Sequence, residues 1–488
     1  MTVEEGIFRR IKIVATIGPA SSDRAVLHDL MEAGADVFRL NFSHGRHSEM
    51  AQIVATIRDL STNRKRAVAI LGDLQGPKIR VGSLRDGRMM LVAGEQVTVT
   101  TEDILGQGGM LPTTYGNLPE DVCPGDRILL DDGLMEMRVE EVSAPHVRCR
   151  VVVGGLLKDR KGINLPGVRV SAPSLTEQDL DDLAFCLDHE LDYVALSFVR
   201  SAEDVLQLKN HFIERHAELR VIAKIEKPEA VTAFDEILAV ADGIMVARGD
   251  LGVEMAPEKV PLIQKSIIRK CNQLGKPVIT ATQMLESMVG SPRPTRAETS
   301  DVANAILDGS DAVMLSAETA TGSYPREAVA MMVRVARDVE ADPELGKLVF
   351  EPVLWDRGYL HLPEAIGQAA CQIARSVGAA AILAFTQTGS TAALVSKFRP
   401  HIPIYGVTPN QEVRRRLALY AGVRSVRVDI RGDTEAQIRS VEAAVLSAGL
   451  VRKGDVVVIT MGSPVSDPGT TNLVKIHRVG TGPFFEVH

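Results

Sequence analysis

The chain has 488 residues, a formal net charge of −8 at pH 7, 45% hydrophobic and 24% charged residues. That length excludes one ordinary domain, and the composition is that of a globular chain, neither disordered nor fibrous. The acidic balance argues against a nucleic-acid-binding surface over the whole molecule but leaves room for a local basic pocket.

Aromatics are only 4%, so the cores must rest on aliphatic side chains and Met. The five cysteines, Cys123, Cys149, Cys186, Cys271 and Cys371, form no CxxC pair. They read as reduced, mostly buried thiols of a cytoplasmic protein, not as a zinc or disulfide framework. The first ten residues lack the apolar core of a signal peptide. No apolar run approaches the roughly 20 residues needed to cross a bilayer, so no membrane association is expected.

From residue 10 to about residue 340, short β-branched runs alternate with amphipathic helical stretches. The runs predict strands at 10–18, 37–41, 67–73, 193–198, 221–226, 243–248, 277–282 and 312–316. Ser22-Asp23 and Ser201 mark helix starts, and Pro228 suits a first helical turn. Eight such units predict an α/β protein built on a closed (β/α)8 TIM barrel, with an open doubly wound sheet as the structural alternative. After the third strand the pattern changes. Residues 77–171 read as short strands at 97–100, 127–130 and 147–153, broken by turns such as Asp131-Asp132-Gly133. This predicts a small all-β domain inserted in one βα loop of a barrel made of 1–76 and 172–345. Residues 346–488 restart the pattern, with a helix at 363–377 and strands at 380–385, 404–407 and 456–460. They predict a separate C-terminal α/β domain with a short parallel sheet.

Barrel enzymes place their chemistry at the C-terminal ends of the strands. Six of the eight predicted strands carry polar or charged groups there. The second ends in Arg39, Asn41 and Ser43, and the third in Asp73. The fifth carries Lys224 and Glu226, two apart and so on one face. The sixth ends in Arg248, Gly249 and Asp250, the seventh in Thr280, Thr282 and Gln283, the eighth in Ser316 and Glu318. Structural ion pairs are the plain alternative for any one of them. Recurrence at one end of six strands favours a functional site. Glu226 and Asp250 are hard oxygen donors suited to Mg²⁺. Lys224, Arg39 and Arg80 are cations able to face a phosphoryl group. Phosphoryl transfer needs that combination. No GxxxxGK[ST] or GxGxxG cradle is available for a nucleotide, and no Ser-His-Asp order or HExxH competes.

Longer blocks carry a family resemblance. IVATIGP at 13–19, FRLNFSH at 38–44, KGINLP at 161–166, KIEK at 224–227 and IMVARGDLGVE at 244–254 closely resemble pyruvate kinase. So do ATQMLESM at 281–288, PRPTRAETSDVANAILD at 292–308 and MLSAET at 314–319. The resemblance covers essentially the whole chain. It implies transfer of the phosphoryl group of phosphoenolpyruvate to ADP, giving pyruvate and ATP. It implies that Arg39, Lys224, Gly249, Asp250 and Thr282 contact phosphoenolpyruvate, with Lys224 steadying the phosphoryl group in flight and Thr282 near the enolate face. It implies Mg²⁺, or Mn²⁺ in its stead, on Glu226 and Asp250. Asn41, Arg80 and Lys161 match nucleotide-phosphate contacts, and Ser316 and Glu318 a proton-relay region. A homotetramer is implied as well.

Many relatives bind K⁺ through residues matching Asn41, Ser43, Asp73 and the carbonyl of Leu74, with Thr in place of Leu74 and Glu in place of Lys78. Here DLQGPKIR at 73–80 puts an ammonium, Lys78, where K⁺ would be repelled and replaced. Activity without K⁺ is therefore expected. In the C-terminal domain, FTQTGSTA at 385–392 offers backbone N–H groups to an anion. The resemblance implies that Thr386, Thr388, Gly389, Ser390 and Thr391 hold a phosphate of a phosphorylated allosteric effector. The competing readings are a Mg²⁺-dependent phosphoenolpyruvate/pyruvate-barrel aldolase and a non-catalytic metabolite sensor on the same fold.

Overall fold

The computed structural model describes residues 8–215, 217–342, 361–429, 434–462 and 471–481. Eight parallel strands close into one barrel: Lys12–Ile17, Val37–Asn41, Ala69–Asp73, Tyr193–Leu196, Arg220–Ile225, Gly243–Ala247, Val278–Ala281 and Ala312–Leu315. The first strand pairs with both the second and the eighth, which closes the ring and excludes the open sheet. Side chains alternate as the pleat requires. Val14 points into the barrel core, whereas Ile13 and Ala15 join the layer between strands and helices. Several strands stop short of their predicted C-terminal ends. The residues lost there are Gly18, Ser197, Phe198, Glu226, Arg248, Thr282 and Ser316, where the chain leaves the ladder. Phe198 and Thr282 adopt left-handed backbone, with φ of 53° and 69°.

The expected helix starts are present. The Asp23 side chain caps Arg24–Ala33, Ser201 and Asp204 form a capping box on Ala202–Glu214, and Pro228 opens Pro228–Thr232. Between the third strand and helix Glu177–Asp188 lies a mainly β insertion with a six-stranded and a two-stranded sheet and one short helix, Leu118–Asp121. It has its own core, including Val81, Val99, Leu111, Ile128 and Met137.

The C-terminal sheet runs in the order Val423–Arg427, Ile404–Thr408, Ala381–Phe385, Val456–Gly462, Thr471–Arg478. The last strand is antiparallel to its neighbour, so the sheet is mixed, not wholly parallel as the pattern suggested. The two strands that pattern missed are the sheet's edges. An edge strand is only partly covered, so it lacks the continuous apolar run of a central one. The expected boundary at 345/346 lies outside the described residues.

This domain seals the N-terminal floor of the barrel. Ala418 and Leu419 pack into the same interior core as Val14, Leu71, Ile222 and Met314. Around that plug, Tyr193 Oη donates to Arg416 O at 2.7 Å and Lys12 Nζ to Val423 O at 2.6 Å. Arg399 Nη1 pairs with Asp311 at 2.7 Å, and Asp311 also accepts the Ala421 N–H at 3.1 Å.

Asp36 anchors the edge of this floor. It pairs with Arg9 at 2.6 Å and Arg66 at 3.1 Å and accepts the Ile13 N–H at 3.0 Å. Burial by itself would raise its pKa, but Arg9, Lys12, Arg66 and the Ile13 amide bring it down to about 2. Its unfolded value is about 3.9, so the folded state binds fewer protons in the window between. The stability it contributes is present above about pH 4 and is lost as pH falls towards about 2. Asp36→Asn should lower stability at pH 7 by about 2–3 kcal/mol, and the difference from wild type should shrink over that window. Urea unfolding at a series of pH values measures it; a difference constant with pH would refute the assignment.

Candidate active site

Four charged side chains meet inside the C-terminal mouth of the barrel. Arg39 Nε donates to Asp73 Oδ2 at 2.6 Å and Arg39 Nη1 to Thr16 Oγ1 at 3.0 Å. Lys224 Nζ lies 2.8 Å from Glu226 Oε1, 3.4 Å from Asp73 Oδ1 and 2.7 Å from Ser197 Oγ. The other Glu226 oxygen accepts the Phe198 N–H at 2.7 Å. Asp73 and Glu226 side chains are each only 1% exposed, so their charges must be balanced locally.

The titration of each group follows. Burial works against the Lys224 ammonium, but Asp73 and Glu226 outweigh it and hold its pKa above the ordinary lysine value. Burial would raise Asp73, but Lys224 and Arg39 keep it below the usual carboxylate range. Glu226 is pushed up by burial, with the charge of Asp250 adding, against the pull of Lys224.

Asp250 sits on the short helix Arg248–Glu254 that follows the sixth strand. The Gly249 N–H donates to Thr282 Oγ1 at 2.7 Å, and that hydroxyl donates to Ala281 O at 2.6 Å. A Cβ at Gly249 would lie 3.3 Å from Thr282 Oγ1, so the approach is close. Thr282 and Gln283 both have left-handed backbone, φ 69° and 54°. Each such residue costs about 1–3 kcal/mol and persists only where its surroundings impose it.

Glu226 and Asp250 fit a divalent cation. They are hard oxygen donors, and the charge of Asp250 lies close enough to disfavour that of Glu226, a repulsion that a cation relieves. Among the described residues no group of three or more His, Cys, Asp or Glu could hold a metal. Two carboxylates suit Mg²⁺, which keeps most of its octahedron for water and substrate oxygens.

The remaining expected residues fall in four places. A cleft between barrel and insertion is lined by Lys78, Asp132, Asn164, Phe198, Lys227 and Asp250. In the insertion, next in the chain to lining residues Ile79 and Asp132, Arg80 Nη1 donates to Arg160 O at 3.2 Å, and Lys161 Nζ pairs with Asp131 at 2.7 Å. Beside Asp73, Asn41 Oδ1 accepts the Ser43 N–H at 3.2 Å, and Leu74 O accepts the Ser197 hydroxyl at 2.7 Å. Far from both, in the C-terminal domain, Gly389 has φ 95° and its N–H donates to Thr386 Oγ1 at 2.8 Å. Thr388 Oγ1 donates to Ser390 Oγ at 3.1 Å, while Thr391 is buried against Thr471 at 2.8 Å. Glu318 is buried, and its two oxygens accept the Ser316 N–H at 2.7 Å and the Leu285 N–H at 3.1 Å.

Two contacts escaped the search for charges at strand ends: Thr16 and Ser197. They lie on the first strand and just after the fourth, the two strands for which no polar end group was expected. Searching those ends for hydroxyls would have found both.

The chain matches a family model described as pyruvate kinase, barrel domain, over residues 8–329, and one described as pyruvate kinase, alpha/beta domain, over residues 364–477. It is 46% identical to a pyruvate kinase of Staphylococcus epidermidis over 97% of this chain and 81% of that protein. It is 47% identical, with the same coverage, to one of Staphylococcus aureus. A crystal structure of a pyruvate kinase from Cryptosporidium parvum superposes with a TM-score of 0.88 at 38% identity, covering 96% of both chains. Agreement of both the barrel and the C-terminal domain along nearly the whole length sets the aldolase reading aside: the chain belongs to the pyruvate kinase family of phosphotransferases.

Proposed function

We propose that the mouth of the barrel carries out phosphoryl transfer from phosphoenolpyruvate to ADP with the residues described above. The observation that carries this reading is the Lys224 ammonium, fixed among Asp73, Glu226 and Ser197 with its charge locked on. A cation preorganised in a dry site stabilises charge that develops on the transferred phosphoryl group. Arg39 holds the phosphate from the opposite side. The Gly249 and Asp250 amides and Thr282 hold the carboxylate end. A β-phosphate oxygen of ADP forms the new bond to phosphorus, and the bond to the enol oxygen breaks. The electron pair stays on the enolate, which takes a proton to become pyruvate. Thr282 steadies the face where that proton arrives, and Ser316 and Glu318 shape the region behind it. Bound by Glu226 and Asp250, Mg²⁺ (or Mn²⁺) supplies charge neutralisation to the phosphoryl oxygens. Asn41, Arg80 and Lys161 receive the nucleotide phosphates, with residues 77–171 closing as a lid. A non-catalytic sensor would have no need for the buried Lys224. Lys224→Met should lower kcat by about 10²–10³-fold or more while KM for phosphoenolpyruvate changes little. A variant retaining wild-type kcat would refute the role.

We further propose independence from K⁺. Both Asp73 oxygens already face cations, Arg39 and Lys224. Lys78 makes no ion pair among the described residues and lines the cleft with Asp250. Its ammonium supplies the charge a monovalent ion would bring. In buffers holding only bulky organic cations, adding K⁺ should change kcat by less than about twofold, whereas Lys78→Glu should make the enzyme need it. A strict K⁺ requirement of the wild type would overturn this.

The loop Thr386–Thr391 is proposed to bind a phosphate of an allosteric effector, with Thr388 and Ser390 facing it. Thr388→Ala with Ser390→Ala should abolish activation by whichever sugar phosphate or nucleoside monophosphate activates the wild type, leaving basal turnover intact. Unchanged activation would refute it. The family resemblance also supports a cytoplasmic homotetramer. No described helix is long and apolar enough to cross a membrane.

A further inference from the structure

Arg248 follows the sixth strand and opens the helix that presents Gly249 and Asp250. Its side chain turns away from that helix and reaches the end of the seventh strand. Nη2 donates to Thr282 O at 2.8 Å and to Gln283 O at 3.5 Å, and Nε donates to Ala281 O at 3.3 Å. The guanidinium also packs against Met284 Sδ. Its other edge meets Asp301, on helix Arg296–Leu307, with both carboxylate oxygens at 2.7 Å, and Gln264 at 3.4 Å. One planar fork therefore gathers three consecutive carbonyls, and one carboxylate neutralises it.

Those carbonyls belong to the stretch that needs holding. Thr282 is β-branched, and both it and Gln283 are left-handed, a conformation disfavoured outside glycine. No regular ladder covers the carbonyls of Thr282 and Gln283, because the seventh strand ends at Ala281. The Thr282 hydroxyl is in turn the acceptor for the Gly249 N–H. Arg248 thus fixes Thr282 from behind and Gly249 from one residue away, tying two strand ends together around one hydrogen bond.

We infer that Arg248, oriented by Asp301, is a positioning residue that sets the left-handed Thr282 turn and with it the Gly249–Thr282 hydrogen bond at the enolate face. This rests on the proposed role of Thr282, and Arg248 acts only through it. Lysine should not substitute, because a single ammonium cannot span three carbonyls and a carboxylate as a planar fork does.

The test measures kcat, KM for phosphoenolpyruvate and melting temperature for Arg248→Lys, Asp301→Asn, Thr282→Val and the double variant R248K/T282V. Exchange of pyruvate methyl protons with deuterated solvent, in the presence of Mg²⁺ and ATP, reports the enolate step separately. Arg248→Lys should lower kcat and the exchange rate together by at least about tenfold, with a smaller effect on KM. Asp301→Asn should lower both by about threefold, because it loosens the fork without removing it. The double variant should be within about twofold of Thr282→Val alone, because the two residues act as one unit. If Arg248→Lys folds poorly, Arg248→Ala assayed with added guanidinium ion takes its place, and recovery of exchange is the expected result. Full turnover in Thr282→Val would overturn the role of Thr282 itself. A slow Thr282→Val beside a fully active Arg248→Lys would overturn the clamp alone. So would independent, multiplying losses in the double variant, or no recovery with guanidinium.

Discussion

The interaction on which the rest of the molecule depends is the buried charge cluster of Arg39, Asp73, Lys224 and Glu226. Two carboxylates and two cations lie on three strands of one barrel, almost out of reach of water. Removing any one would strand an uncompensated charge in a low-dielectric interior. The cluster therefore demands a scaffold that holds side chains from different strands at fixed separations. A closed ring of parallel strands does so, because every strand end is tied to two neighbours. In the proposed function the four groups prepare the site for an incoming phosphate: their positions are fixed by one another before substrate arrives, so little reorganisation is left for the reaction itself.

The lower half of the barrel serves that cluster indirectly. The turn at Leu417–Leu419 plugs the floor, and the interior core between floor and mouth is a column of aliphatic side chains with Tyr193 at its edge. Close-packed interiors transmit displacement instead of absorbing it. A C-terminal domain fastened to the floor by Asp311, Arg399, Lys12 and Tyr193 is thus mechanically continuous with the strands that carry Lys224 and Asp73. The insertion reaches the mouth from the other side. Asn164 Nδ2 donates to Glu254 Oε1 at 2.9 Å, on the helix that also bears Gly249 and Asp250. The insertion therefore touches the mouth directly, while the C-terminal domain meets the opposite end of the same core.

Much of this was legible in the chain. The eight strands follow from short β-branched runs between helical stretches, and their observed limits differ from the expected ones by a few residues. The polar strand ends pointed to the mouth because charges inside a β-rich barrel require partners. The edge strands Val423–Arg427 and Thr471–Arg478 were not legible, because their partial exposure removes the apolar run that marks a central strand. Thr16 and Ser197 stand apart from any charged neighbour in sequence, and their part in the cluster follows only from contacts with Arg39 and Lys224 on other strands. Arg248 stood out as a charge in the sequence, yet nothing there indicated that it turns outward to the next strand and not into the mouth.

What the amino-acid order determined by itself is the inventory: eight βα units, an inserted β domain, a third α/β domain, and the carboxylates, cations and hydroxyls at one end of the strands. Local periodicity and i, i+2 spacing suffice for that, because both act within a few residues. The tertiary structure alone decided which of these groups meet. That Lys224 sits between Asp73 and Ser197, that Asp73 is shared by two cations, and that Arg248 clasps Thr282 all depend on contacts between residues 27 to 151 positions apart. Closure of the ring brings them together, and no local pattern encodes it.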